Sequence, residues 1–228
     1  MNKQSFFTNK TGLIAILGTG IIIVLIVIVS NFNIEVKVNN KGDQVSANQQ
    51  TTQAVQGSQT DSMHGGSVPA DATVFNGLVG KPAPDFTLET YDGKKITLGS
   101  LKGKNIILFF NEGLMCYPAC WNQIAAFGKD TELAKKAVLL NITADLKNDW
   151  KQAIDKMPEL ASATVLFDSN RQVSSVYGVL TLPSSMHKGQ FPGHSYVIVD
   201  KEGIIRFVQD DVQMAVRNQE LAAEIDKL

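Results

Sequence analysis

Apolar and polar positions divide this chain of 228 residues into three stretches. The first runs from Gly12 to Val29 and reads GLIAILGTGIIIVLIVIV, with no charge and Thr19 as its polar residue. A helix rises 1.5 Å per residue, so about 20 residues cross a hydrocarbon core of roughly 30 Å. Residues 11–30 are therefore expected to form a transmembrane anchor. A cleaved signal peptide would have a shorter apolar run ending at a small-residue site. This run is longer, is β-branched to its end, and leads into SNFNIEVKV, which offers no such site. Lys3 and Lys10 precede it without an acidic residue. The positive-inside rule then keeps residues 1–10 in the cytoplasm and sends the remainder across the membrane.

The second stretch, residues 31–78, is rich in Gln, Ser, Thr, Asn and Gly, as in VSANQQTTQAVQGSQTDSMHGGS. It has too little apolar surface to offset the entropy of ordering and is expected to be a flexible linker reaching a few tens of Å.

Residues 79–228 alternate between apolar runs and helical patterns, and their length suits one domain with one core. APDFTLETYDGKKITL predicts two short strands around a turn at Tyr91-Asp92-Gly93. NIILFF (Asn105–Phe110) is a continuous apolar run, the signature of a central strand covered on both faces. A helix is predicted from near Pro118, since proline suits a first helical turn. AVLLNITAD and ATVLFD read as buried strands, and NDWKQAIDKMPEL as a helix interrupted at Pro158. NRQVSSVYGV reads as a short helix closing on Gly178, and HSYVIVDKEGIIRFV as a hairpin. The final VRNQELAAEIDKL is predicted to be amphipathic, with Val216, Leu221, Ile225 and Leu228 facing inward. The order β-β-β-α-β-α-β-α-β-β-α predicts an α/β fold, a mixed sheet with helices on both faces. Chemistry in such sheets gathers beyond the carboxyl ends of the strands.

Charge adds little: 21 basic against 22 acidic residues, with no basic stripe, argue against a nucleic-acid partner. The cysteines add more. Cys116 and Cys120 are the chain's two, and they fall in the loop after NIILFF. Residues four apart at a helix start have Cα atoms about 6 Å apart, within the range of a disulfide. A structural staple over so short a loop removes little unfolded-state entropy, which favours a redox pair. Free N–H groups and the dipole at the helix start stabilise a thiolate. Cys116, further out, is expected to attack and Cys120 to resolve. Glu112 is a candidate proton relay. His194 is a candidate neighbour of the cysteine loop that tunes a thiolate pKa. Trp121 either shields the disulfide or belongs to the core. The glycosylation triplet Asn141-Ile142-Thr143 lies in a strand expected to be buried.

Strand–loop–Cys–helix, followed by DSNRQVSSVYGV and HSYVIVDKEGIIRFV, resembles the redoxin domains of the AhpC/TSA family. GKPAPDFTLETYDGKKITLGSLKGK is similar to that family's opening. The resemblance covers residues 79–228 and implies a thioredoxin-like, peroxiredoxin-type fold with thiol chemistry at Cys116. Typical members carry Pro and Thr seven and three residues before the attacking cysteine, where this chain has Phe109 and Gly113. They also carry an Arg just before the strand equivalent to SYVIVD, where this chain reads FPGHS. The expectation is a membrane-anchored, extracytoplasmic thiol–disulfide oxidoreductase, with thiol peroxidase as the alternative. Its partners would be a protein carrying thiols or a disulfide, as electron donor or substrate, or else peroxide. No cofactor is expected. The alternative is copper, because C-x-x-x-C also resembles the loop of Sco-type copper chaperones, with Cys116, Cys120 and His194 as ligands. His64 and His187 each follow a Met, and thiolate, thioether and imidazole together suit copper(I).

Overall fold

The structure, a computed structural model, describes residues 68–228. The expected cytoplasmic tail, the anchor at 11–30 and most of the linker lie outside these residues. Among the described residues, no helix is long and apolar enough to cross a membrane.

Seven strands form one mixed sheet: β1 (Thr87–Thr90), β2 (Lys95–Thr97), β3 (Ile106–Asn111), β4 (Val138–Thr143), β5 (Val165–Phe167), β6 (Ser195–Val199) and β7 (Ile205–Asp210), in the order β2-β1-β5-β4-β3-β6-β7. β3 pairs parallel with β4 and antiparallel with β6, so that Phe109 stands between Asn141 and Tyr196. All six residues of β3 are buried, as the continuous apolar run requires of a strand covered on both faces. The β1–β2 and β6–β7 connections are the two expected hairpins.

Side chains alternate across the sheet, and the two faces carry separate cores. On one face Ile107, Phe109, Tyr196 and Ile198 pack with helices α2 (Ala119–Lys129), α3 (Thr131–Lys136), α4 (Trp150–Lys156) and α6 (Asn218–Ile225) through Ile124, Leu133, Trp150 and Leu221. On the other, Leu108, Phe110, Ile142 and Val197 pack with α1 (Thr73–Asn76) and α5 (Gln172–Val176) through Phe75, Tyr177 and Val173.

Two expectations need correction. The linker was expected to run to residue 78, yet Phe75 and Leu78 are 0% and 8% exposed in the second core. The domain's packing thus begins before Val79, because α1 closes a surface that α5 alone leaves open. The last helix spans Asn218–Ile225, shorter than its pattern suggested. Leu221 and Ile225 face inward, but Val216 and Leu228 lie beyond the helix ends and are 51% and 50% exposed. The charged segment TELAKK forms α3, started by the Asp130 carboxylate accepting the Leu133 N–H at 2.9 Å.

Candidate active site

β3 ends at Asn111, and a single 3-10 turn, Gly113–Met115, carries the chain to Cys116 at the carboxyl edge of the sheet. α2 then begins at Ala119, with Pro118 as its N-cap, so Cys120 falls in its first turn. The turn is pinned from three sides. The Asn111 side chain accepts the Gly113 N–H at 2.9 Å. Trp121 Nε1 donates to the Gly113 carbonyl at 2.9 Å, making this tryptophan a brace for the loop as well as part of the core. Just beyond β4, Asp145 accepts the Leu114 N–H at 3.0 Å and the Thr143 hydroxyl at 2.7 Å. Burial raises the Asp145 carboxyl above its ordinary range, an effect the two hydrogen bonds partly offset. A Cβ on Gly113 would lie 1.7 Å from Asp145 Oδ2, and φ there is +54°. Only glycine lets the loop approach so closely.

Cys116 and Cys120 form a disulfide with Cα atoms 5.4 Å apart. The Cys120 N–H donates to the Cys116 carbonyl at 3.0 Å and also reaches Cys116 Sγ at 3.3 Å. A donor of the helix start is thus aimed at the Cys116 sulfur, which favours its thiolate once the disulfide is reduced. Both cysteines are buried, Cys116 at 3% exposed and Cys120 at 0%, so the little solvent access at the pair falls to Cys116.

His194, immediately before β6, is fully buried. Its Nδ1 is 3.5 Å from Cys120 Sγ and its Nε2 is 2.9 Å from the Tyr196 hydroxyl. Burial lowers its pKa to about 4, with weaker and opposing effects of Asp211 and Arg217, so the imidazole is neutral at pH 7. It stands just before SYVIVD, where typical members of the family carry an arginine. Tyr196 escapes notice in the sequence because it reads as a strand hydrophobe. The signal for it was its place two residues after His194, on the same face of β6.

The structure sets the carboxylate of Glu112, the candidate relay, against the 185–187 segment. It continues the even-numbered parity of Leu108 and Phe110, which face the core away from α2. It is 0% exposed. Its Oε1 accepts from the N–H groups of Met186 at 2.5 Å and His187 at 3.1 Å and from the Ser185 hydroxyl at 3.2 Å. Its Oε2 meets His187 Nδ1 at 3.0 Å. This carboxylate fastens the 185–187 segment to the sheet.

As for copper, the sulfurs of Cys116 and Cys120 and a ring nitrogen of His194 all lie within 4.8 Å of one another. In the disulfide state both sulfurs are spent on each other. His187 is engaged by Glu112, Met115 is 53% exposed, and His64 lies outside the described residues. Asn141 is fully buried and donates to the Thr164 carbonyl at 2.9 Å, which removes it as a sugar acceptor in the folded domain.

Residues 79–208 match the AhpC/TSA family. The chain belongs to that family. Similar curated relatives include the chloroplastic peroxiredoxin Q of Populus jackii, 29% identical over 157 residues covering 64% of this chain and 68% of that protein. The peroxiredoxin Q of Triticum aestivum is 32% identical over 139 residues, 58% of each chain. The chain thus spans about three-fifths to two-thirds of these relatives' lengths. Among solved structures, the mitochondrial 2-Cys peroxiredoxin of Plasmodium falciparum superposes with a TM-score of 0.55 at 27% identity, covering 66% of this chain and 93% of that one. The AhpC of Enterococcus faecalis gives 0.57 at 18% identity, covering 66% and 91%, a likeness of fold. An AhpC/TSA chain with its cysteine pair at this edge of the sheet is a thiol-dependent oxidoreductase.

Proposed function

We propose that the protein is a membrane-anchored thiol peroxidase whose redoxin domain works on the extracytoplasmic side. The observation that carries this reading is the unequal setting of the two sulfurs. Cys116 has a helix-start N–H directed at it and the greater access, while Cys120 is sealed and already within bonding distance. A Cys116 thiolate attacks one peroxide oxygen, the O–O bond breaks, and the alkoxide or hydroxide leaves with a solvent proton. Cys116 is then a sulfenic acid. Cys120 displaces its hydroxyl as water and closes the disulfide, and a protein dithiol restores the pair by exchange. The similarity to peroxiredoxins Q supports peroxide as oxidant, and the uncharged run at 12–29 supports the anchor.

A second reading, disulfide exchange with another protein, is favoured by one observation. Phe109, Gly113 and His194 stand where typical members carry Pro, Thr and Arg, so the Thr and Arg donors that polarise a peroxide are missing.

The test mixes the reduced full chain with equimolar hydrogen peroxide and follows the disulfide by mass and by the fluorescence of Trp121. Stoichiometric oxidation far faster than that of a free thiol, falling to the free-thiol rate in Cys116→Ser, is the expected result. Oxidation no faster than a free thiol's would leave disulfide exchange as the function. Copper(I) retained by the wild-type reduced chain but not by Cys116→Ser would favour delivery of that metal instead.

A further inference from the structure

A chain of hydrogen bonds behind Cys120 fixes which nitrogen of His194 carries the proton. Its far end is unambiguous. The Asp130 carboxylate and the Ala126 carbonyl are acceptors, at 2.8 and 3.2 Å from Asn218 Nδ2, so the Asn218 amide nitrogen points to them. Asn218 Oδ1 then accepts from Gln123 Nε2 at 2.8 Å. Gln123 Oε1 accepts the Arg217 backbone N–H at 2.8 Å, a donor that requires an oxygen there. The Tyr196 hydroxyl lies 3.0 Å from that same Oε1 and 3.3 Å from the Ala215 carbonyl. On that side it meets acceptors, and its one proton goes to them. Toward His194, 2.9 Å away, Tyr196 can therefore only accept, and Nε2 carries the ring proton. Nδ1 is left with a lone pair directed at Cys120 Sγ, 3.5 Å away.

We propose that His194 takes the thiol proton of Cys120 when Cys120 resolves Cys116, and that Tyr196 and Gln123 are positioning residues holding the imidazole in the tautomer this requires. The proposal rests on the Cys116-attacks, Cys120-resolves reading. The proton passes from Cys120 Sγ to His194 Nδ1. The thiolate's electron pair forms the S–S bond, and the bond from Cys116 Sγ to its leaving group breaks. When that group is hydroxide, it takes the imidazolium proton and departs as water. The surroundings suit the cycle. The charged groups facing His194, Asp211 and Arg217, are paired with each other at 2.8 Å, and Arg217 also binds Glu220. A thiolate beside the ring favours the imidazolium, and closing the disulfide removes that support. A leaving group that takes no proton leaves it on the ring, from which it passes to solvent.

The resolving step can be timed without peroxide. One equivalent of the aromatic disulfide 5,5′-dithiobis(2-nitrobenzoate) is added to the reduced full chain, loading Cys116 and releasing one coloured thiolate. Closure by Cys120 releases the second. His194→Gln is expected to slow that second release about tenfold or more at pH 7, in keeping with the weight of general base catalysis. The deficit should vanish near pH 9.5, above the ordinary thiol pKa of about 8.5, where Cys120 ionises unaided. Tyr196→Phe, which keeps the ring and removes the acceptor for Nε2–H, should show a smaller deficit rescued the same way. Second-release rates within twofold of wild type in both variants would overturn the proposal, as would a deficit that persists undiminished at high pH. Wild-type chain that closes as described yet ignores peroxide would sink the peroxidase reading alone.

Discussion

Glu112 and His194 are two buried polar residues at the same end of the sheet, one closing β3 and the other opening β6, and both were candidates for proton chemistry. Their surroundings differ. Each oxygen of Glu112 is already committed to donors of the 185–187 segment. His194 is bonded at one nitrogen, and its other faces a sulfur that forms and breaks bonds. A buried group whose hydrogen bonds are complete holds the fold, because any proton it gained or lost would break them. A buried group left neutral with one site open can exchange a proton at little structural cost.

Exchanging the two roles by mutation would break this contrast. The largest effect is expected from Glu112→Ala, which takes the shared acceptor from the Met186 and His187 N–H groups and the ion-pair partner from the His187 ring, while the Ser185 hydroxyl keeps the Phe191 carbonyl. It should lower stability by about 3–5 kcal/mol, or a melting temperature by roughly 10 °C. Its second-release rate, measured well below that temperature, should stay near wild type. A stable Glu112→Ala protein with slow closure would reverse the assignment.

Next in size is the acid response of His194. Its folded pKa, about 4, lies below the ordinary 6.5, so between these values the unfolded chain binds the extra proton. Stability therefore falls as pH drops from 6.5 toward 4, by on the order of 3 kcal/mol from this residue. Asp145 and Asp210, whose pKa values are raised by burial, act in the opposite sense. The His194 share is thus read as the difference between wild type and His194→Gln in urea unfolding at pH 7 and pH 4.5. Parallel pH slopes would show that the imidazole is not held neutral. The smallest effect is that of Gly113→Ala, expected to cost about 1–3 kcal/mol because the new methyl group collides with Asp145. Asp145→Ala should recover part of that loss, and no recovery would place the strain elsewhere.

The seven strands and their hairpins were legible because each is a run of apolar or alternating residues bounded by Gly, Pro or Asp. The cysteine pair and the start of α2 were legible from spacing and from Pro118. α1 and the burial of Phe75 were not, since two apolar residues amid polar ones carry no periodicity until α5 and β3 supply a surface for them. Nor was the bond from Glu112 to His187, across 75 positions, or the path from Asp130 to His194. Such contacts follow from register and crossover, which local pattern does not encode. For His194 the sequence placed the residue beside the cysteine loop, while its tautomer depended on an amide contributed by α2.

One feature of the domain's first described residues has a mechanical meaning. The Asp71 N–H donates to the Thr181 carbonyl, and the Thr181 hydroxyl donates back to the Asp71 carbonyl, each at 2.8 Å. Phe75 is seated in the core on the side of the sheet away from α2, and Val74 lies so close to Gly178 that a Cβ there would be 2.8 Å from it. Together these contacts clamp the chain as a grommet clamps a cable. A pull arriving from the amino-terminal side would be taken up between Asp71 and Phe75, and the spacing of the two sulfurs would not feel it.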